Sequence, residues 1–581
     1  LLKEGEYAMN IEVNGKLVSC EKGEILLKVL EREGLKVPTL CAMKDLFPSG
    51  ACRMCVVEVD GSRNLMPSCA FPVAEGMKVQ THSPRVVKAR QTILELLLAS
   101  HPDDCLFCGR NNECTLQDLA AEYGVRRRRF VKKTMAPHID NASPSIVRDQ
   151  DKCVLCGRCV RVCEEIMGVG AIDFAQRGSK SMVCPAFNEG INTSSCVSCG
   201  QCIMVCPTGA ITEQDSLNEL MAALTDPTKY VVVQHAPAVS VTLGEYFGLK
   251  AGRDVDGHMV AALRKIGFKK VFDTSFTADL TIMEEGSEFV ERVTKGGVLP
   301  MMTSCSPAWI NFVEEFYPEH IPNLSTCKSP QQMMGAIIKS YFAQKEKIAP
   351  ENIVSVSVMP CVAKKREAGR GEMMGDKKVP DVDIVVTTRE LARLIKRMGI
   401  DFNELQPEKP DLILGERSSA GKIFGVTGGV MEAALRSGYF LVTGKELTDL
   451  VFKDVRGLDG IKEAAVKLGD VEIKVAVISG LGNARKVLDE MKKGYRQYHF
   501  IEVMSCPGGC IAGGGQPYFT DPDRVKARMA SLYDIDKKEK LRLSHHNQYV
   551  QSLYQEFLGK PLGERSHHLL HTHYTARREK V

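Results

Sequence analysis

Two cysteine runs, Cys153, Cys156, Cys159, Cys163 and Cys196, Cys199, Cys202, Cys206, each read CxxCxxCxxxC, and Pro207 follows the second. This is the stepped spacing of a pair of [4Fe-4S] clusters, in which three thiolates of one run curl around a cubane and the fourth reaches across to the other. Cys153, Cys156 and Cys159 are therefore expected to pair with Cys206, and Cys196, Cys199 and Cys202 with Cys163. Such clusters carry electrons. A zinc ribbon would present two separated CxxC pairs instead of two evenly stepped quartets. Cys184 fits neither run, and Cys20 and Cys327 match no pattern.

Two further blocks of ligand-type residues lie upstream. Cys41 and Cys69 flank the tight pair Cys52 and Cys55, and loops can gather four such thiols around a flat [2Fe-2S] rhomb. The elements that must position them are a hairpin over residues 11–18, turning at Asn14-Gly15, and a helical stretch over 25–33. Next, His101, Cys105, Cys108 and Cys114 read HxxxCxxCxxxxxC after an amphipathic helix over 87–100. One imidazole and three thiolates make a [4Fe-4S] cluster less negative than four thiolates would, which raises its potential. A zinc site on the same three thiolates and imidazole is the chemical alternative. In their order, these blocks resemble the front of iron-only hydrogenases and of the large iron-sulfur subunit of respiratory NADH dehydrogenase. The resemblance implies one plant-type [2Fe-2S] module and one His-Cys-Cys-Cys [4Fe-4S] module. Arg126, Arg127, Arg128 and Arg129, with Lys132 and Lys133 beyond, are expected to form a solvated helix face, docking of an acidic redox partner being the functional alternative.

A chain of 581 residues exceeds what one core serves, so three or more domains are expected. Its 22 cysteines have cluster-ligand spacings and no signal peptide precedes them, which suits a reducing, cytoplasmic setting rather than a secretory disulfide framework. No apolar run is long enough to span a bilayer, and a net charge of +4 argues against a general nucleic-acid surface. Short apolar runs at 230–233, 270–273, 354–359, 382–386 and 473–478, with helical periodicity over 388–398, give the remainder an α/β character. The expected fold is multidomain α/β with small α+β ferredoxin-like modules. Its divisions are a [2Fe-2S] domain at 9–85, a His-Cys-Cys-Cys [4Fe-4S] domain at 86–136, a 2[4Fe-4S] domain at 137–216 and a large α/β domain at 217–581.

The last cysteines fall where strands end. Cys305 lies in TSCSPAW, Cys361 in MPCVAKKRE, and Cys506 and Cys510 in EVMSCPGGC, before Gly513-Gly514-Gly515. In sequence and order these stretches resemble the three signature motifs of the iron-only ([FeFe]) hydrogenases, and the resemblance extends over essentially the whole chain. It implies reversible oxidation of H2 at an H-cluster, a [4Fe-4S] cubane joined through a cysteine sulfur to a diiron unit with carbonyl, cyanide and a bridging dithiolate amine. Carried over, Cys361, Cys506 and Cys510 hold the cubane, and Cys510 is the bridge. The glycines are expected to let backbone approach the cofactor.

The first motif departs from the family, which usually has two adjacent cysteines, a proton relay followed by a cubane ligand. Position for position, Cys305 is the relay and Ser306 stands in the ligand position; the competing assignment has Cys305 ligate and Ser306 relay. The resemblance further implies that Lys364 faces one cyanide and Pro237 with Ala238 the other. Ser329, Pro330, Gln331, Met359, Phe424 and Met504 would enclose the site, though Met359 and Met504 read equally well as ordinary core. Glu285, Glu288 and Ser325 match the family's proton relay to Cys305; by spacing alone the two glutamates are one helical turn apart on a face that could be exposed.

The implied partners are H2, protons, maturation proteins, and either a flavin-containing NADH-oxidising subunit, a formate dehydrogenase module or ferredoxin. No dinucleotide fingerprint stands in a suitable setting, so NAD chemistry would need another subunit. The alternatives are an electron-transfer subunit without turnover and a hydrogen sensor or scaffold. His567, His568, His571 and His573 read as a packed or exposed tail.

Overall fold

The computed structural model describes residues 8–577 apart from Asp45, Arg128, 131–137, 376–377, 413–414, Thr448 and 469–470. Lys132 and Lys133 thus lie outside the described residues.

Strands Ala8–Val13 and Lys16–Glu21 pair antiparallel, and Asn14 and Gly15, both at positive φ, form the turn the sequence indicated. They belong to a five-stranded sheet that buries one face of the helix Leu26–Arg32. The helix expected at 87–100 starts three residues earlier, as Pro84–Ala99, because Ser83 caps it by accepting from the Val86 N–H and Pro84 occupies the first turn. Among the described residues of the arginine run, Arg126, Arg127 and Arg129 are not helical. The preceding helix, Thr115–Glu122, has already ended, and Arg129 pairs with Glu95 from a loop.

From Tyr230 onward two four-stranded sheets dominate. In the first, Lys270–Asp273, Tyr230–His235, Ile353–Met359 and Ile384–Thr387 run parallel in that order. In the second, Met301–Met302, Phe500–Met504 and Val471–Ser479 run parallel, and Ile461–Leu468 closes the edge antiparallel. Ile353–Met359 is buried at every residue, as a central parallel strand covered on both faces requires. No helix among the described residues is long and apolar enough to cross a membrane.

Candidate active site

A cavity of about 100 Å³ opens where strands of both sheets end at their carboxyl termini, the usual place for a site in parallel sheets. Tyr230–His235 delivers Pro237 and Ala238, Met301–Met302 delivers Cys305 and Ser306, Ile353–Met359 delivers Cys361 and Lys364, and Phe500–Met504 delivers Cys506 and Cys510. All eight residues line the cavity, together with Pro330, Gln331, Met359, Phe424 and Met504. Burial pushes up the Cys506 and Cys510 thiols, Cys510 to about 12, and the neighbouring Cys361 thiol adds to both. A buried set of neighbouring thiols of this kind suits a bound cation that holds them as thiolates. An all-sulfur donor set in an otherwise apolar chamber, with one lysine at its wall, fits an iron-sulfur centre carrying anionic ligands.

Ser329 is the exception among the expected wall residues. It caps the helix Pro330–Ile337, and its hydroxyl donates to Glu367 at 2.9 Å. Glu367, which the sequence left without a role, gathers this side of the cavity. It accepts from Lys364 Nζ at 2.9 and 3.1 Å and from Gln331 Nε2 at 2.9 Å. Lys364 Nζ also donates to the Cys305 carbonyl at 3.2 Å, tying the second motif to the first. The available signal was the three-residue spacing of Lys364 and Glu367 on one helix.

Gly509 and Gly513 line the cavity, and the glycines have a packing task besides. A Cβ on Gly513 would stand 2.2 Å from the Pro360 carbonyl, on Gly514 2.5 Å from the Cys199 carbonyl, and on Gly509 2.7 Å from the Thr427 nitrogen. They let backbone approach backbone, seating the third motif on the second and on the loop that carries Cys199.

Cys305 and Ser306 diverge. Burial pushes the Cys305 thiol well up, followed by the negative charge of Glu285 and then Cys510. The Ser306 hydroxyl instead lies 2.6 Å from that of Ser505 and accepts the Ser505 N–H at 3.2 Å.

Glu285 and Glu288 sit on the buried side of the helix Ser275–Lys295, which settles the question of their exposure. Burial and the nearby Glu288 push Glu285 up to about 8, against a smaller lowering by the Ser325 hydroxyl and the Ser304 backbone. Glu288 accepts from Ser325 Oγ at 2.8 Å and pairs with Arg292 at 2.6 Å.

The two cysteine runs interleave as expected. Cys153, Cys156, Cys159 and Cys206 line one small cavity, and Cys163, Cys196, Cys199 and Cys202 line another. Cys199 also lines the large cavity, so the second set abuts the candidate active site. Arg389 staples this junction: its guanidinium donates to the carbonyls of Gly514 at 2.7 Å and Gln516 at 2.6 Å and pairs with the buried Glu213. On the far side, the first set receives both front modules. Arg161 donates to the carbonyls of Cys41 and Phe47, and Arg110 donates to the Cys206 carbonyl at 3.2 Å. The Cys41 thiol is in contact with those of Cys52 and Cys69, and the Cys69 thiol also meets that of Cys55. His101 ends the helix-to-loop transition, Cys105 is exposed on the following turn, and Cys108 and Cys114 interact. Cys184 is a buried thiol in a short strand and lines neither quartet's cavity.

Family models match in sequence order. They are a 2Fe-2S iron-sulfur cluster binding domain at 7–84, the NADH-ubiquinone oxidoreductase-G iron-sulfur binding region at 90–129 and a 4Fe-4S dicluster domain at 152–210. The C-terminal domain of the iron only hydrogenase large subunit follows at 229–514 and the iron hydrogenase small subunit at 522–577, a division the sequence reading did not make. The chain is 49% identical to the NADP-reducing hydrogenase subunit HndD of Solidesulfovibrio fructosivorans, over 98% of this chain and 99% of that one. It is 40% identical to iron hydrogenase 1 of Clostridium pasteurianum, over 97% and 99%. Among solved structures, an apo [FeFe]-hydrogenase HydA1 from Chlamydomonas reinhardtii superposes with a TM-score of 0.57 at 43% identity, covering 62% of this chain and 99% of that one.

Proposed function

This chain belongs to the iron-only hydrogenases, and from that premise we propose how its own residues divide the work of a hydrogenase catalytic subunit with accessory iron-sulfur domains. The carrying observation is the meeting of all three cysteine motifs at one buried chamber beside Cys199. Cys361, Cys506 and Cys510 would hold the cubane of an H-cluster, with Cys510 as the bridging sulfur. When bound, the H-cluster supplies the metal chemistry that splits or forms H2. Lys364, fixed by Glu367, presents its ammonium to an anionic ligand of that centre, while Pro237, Ala238, Phe424, Met359 and Met504 exclude water.

Protons move through groups that can both give and take them. The raised Cys305 thiol stands at the chamber, the raised Glu285 carboxyl comes next, and Ser325 with Glu288 continues to Arg292. Ser306 occupies the ligand position, with its hydroxyl steered by Ser505. The opposite assignment, with Ser306 as relay, is disfavoured because that hydroxyl is turned to Ser505 and the thiol is the one under Glu285's influence.

Cys163, Cys196, Cys199 and Cys202 would hold one cubane beside the chamber and Cys153, Cys156, Cys159 and Cys206 a second beyond it. Cys41, Cys52, Cys55 and Cys69 would hold a [2Fe-2S] cluster and His101, Cys105, Cys108 and Cys114 a [4Fe-4S] cluster, and together these groups would supply one-electron transfer between the chamber and a redox partner. The similarity to HndD favours a pyridine-nucleotide-linked partner subunit. Anaerobically matured protein is expected to show carbonyl and cyanide infrared bands and dye-linked H2 uptake. Fully iron-loaded, matured protein without those bands would return the chain to an electron-transfer or scaffold role.

A further inference from the structure

Beyond the relay lies a second group of ligand-type side chains. Glu288, Cys327 and His571 are buried, and one donor atom from each lies within 4.8 Å of the other two. Cys327 Sγ is 3.9 Å from Glu288 Oε2 and 4.0 Å from His571 Nδ1. Backbone structure fixes the last two residues against each other. Cys327 and His571 form an antiparallel bridge, with Lys328 N–H donating to the Leu570 carbonyl and Thr572 N–H to the Thr326 carbonyl, both at 2.7 Å.

The other ring nitrogen supplies an independent sign. His571 Nε2 is 3.1 Å from Glu284 Oε2, and Glu284 is itself held by the Tyr554 hydroxyl at 2.6 Å and the Leu562 N–H at 2.8 Å. An Nε2–H donated to a fixed carboxylate leaves the Nδ1 lone pair turned toward Cys327 and the Thr326 hydroxyl, 2.8 Å away. Metal-ligating histidines are oriented in this way.

We propose that Glu288, Cys327 and His571 form a Zn2+ site, and that zinc bound there withdraws Glu288 from the proton relay. Thiolate, imidazole and carboxylate are the donors zinc uses, whereas calcium and magnesium take oxygen. Tetrahedral zinc holds sulfur and nitrogen roughly 3.5 Å apart, so the Cys327 thiolate must move inward by about half an ångström and Thr326 must release Nδ1. Zn2+ and the Arg292 guanidinium together carry three positive charges, matched by the Glu284 and Glu288 carboxylates and the Cys327 thiolate; the thiol proton leaves to solvent. The cation occupies the Oε2 atom to which Ser325 donates. Entry is from the surface past the exposed His567, whose ring stacks on His571 at 4.6 Å.

The inhibitory half rests on the relay proposed above, so the test separates the two. Cluster-loaded holoenzyme and its Cys327→Ala variant are each exposed to Zn2+, freed of excess, and read by metal analysis, zinc K-edge absorption and dye-linked uptake. The native chain is expected to retain one more zinc than the variant, with sulfur in its coordination shell, and to lose uptake about tenfold or more, while zinc leaves the variant's uptake unchanged. The cluster of Glu446, His545 and His546, exposed apart from His545, has no sulfur and takes zinc equally in both chains. Equal zinc content, or a native shell without sulfur, overturns the site. Extra sulfur-bound zinc with undiminished uptake keeps the site and overturns the inhibition. Glu288→Gln, assayed without zinc, tests the relay by itself.

Discussion

The hydroxyl of Ser306 lies 2.6 Å from the hydroxyl of Ser505, so the residue that replaces a cysteine in the first motif is hydrogen-bonded to the residue just before Cys506 in the third. The pair turns a neutral oxygen toward the cubane ligands where the family norm would place a thiolate. Ser306→Cys is expected to assemble the cubane and, by adding a negative ligand, to lower its reduction potential. A redox titration followed by electron paramagnetic resonance checks this; an unchanged potential would mean that position 306 does not face the cubane.

Glu285 is the buried acid between the chamber and Glu288. Replacing it with glutamine removes an exchangeable proton, and uptake should fall about 10²- to 10⁴-fold while the infrared bands persist.

The same residue predicts a stability trend. Its carboxyl is raised from 4.5 to about 8 on folding, so the folded chain holds a proton that the unfolded chain has released. The native protein should therefore lose stability relative to Glu285→Gln as pH rises from about 4.5 to about 8. Paired chemical denaturations at pH 5 and pH 8 check the sign, and a difference that grows with pH in the native protein's favour would refute it.

Among the described residues, Glu367 is the carboxylate that pairs with Lys364. Glu367→Ala leaves that ammonium buried beside the Cys305 carbonyl and should cost about 3–5 kcal/mol, read from the denaturation midpoint. Glu367→Gln keeps the bonds to Gln331 and Ser329 and should cost less.

Gly513→Ala forces a methyl against the Pro360 carbonyl, 2.2 Å from its ideal position. The seat between the second and third motifs should open, with loss of the catalytic cubane's signal and retention of the accessory clusters' signals.

Much of this was legible because ligand spacing is local. The quartets, their interleaving, the hairpin at Asn14-Gly15 and the strand ahead of Cys361 each depend on residues close in sequence, whereas the strand Phe500–Met504 ahead of Cys506 was not among the runs read. What escaped depends on tertiary meetings. Ser505 was in plain view inside the third motif, but nothing local pairs it with Ser306, 199 residues away. Glu285 and Glu288 could not be told from a surface pair until the helix Ser275–Lys295 was seen to be covered. Glu367 closes the second motif's run, and nothing local shows that it meets Gln331 and Ser329. His571 belonged to an apparent tail and turned out to be buried against Cys327 and Glu284. The arginine run misled in the other direction, since charge density says nothing about where a helix stops.

The central claim is that Cys305 moves protons and does not hold iron. Infrared spectroscopy of matured Cys305→Ala under H2, beside a dye-linked uptake assay, tests it most directly. Carbonyl and cyanide bands of native intensity with uptake abolished are the predicted result. Loss of the bands together with the uptake would make Cys305 a cluster ligand and contradict the account.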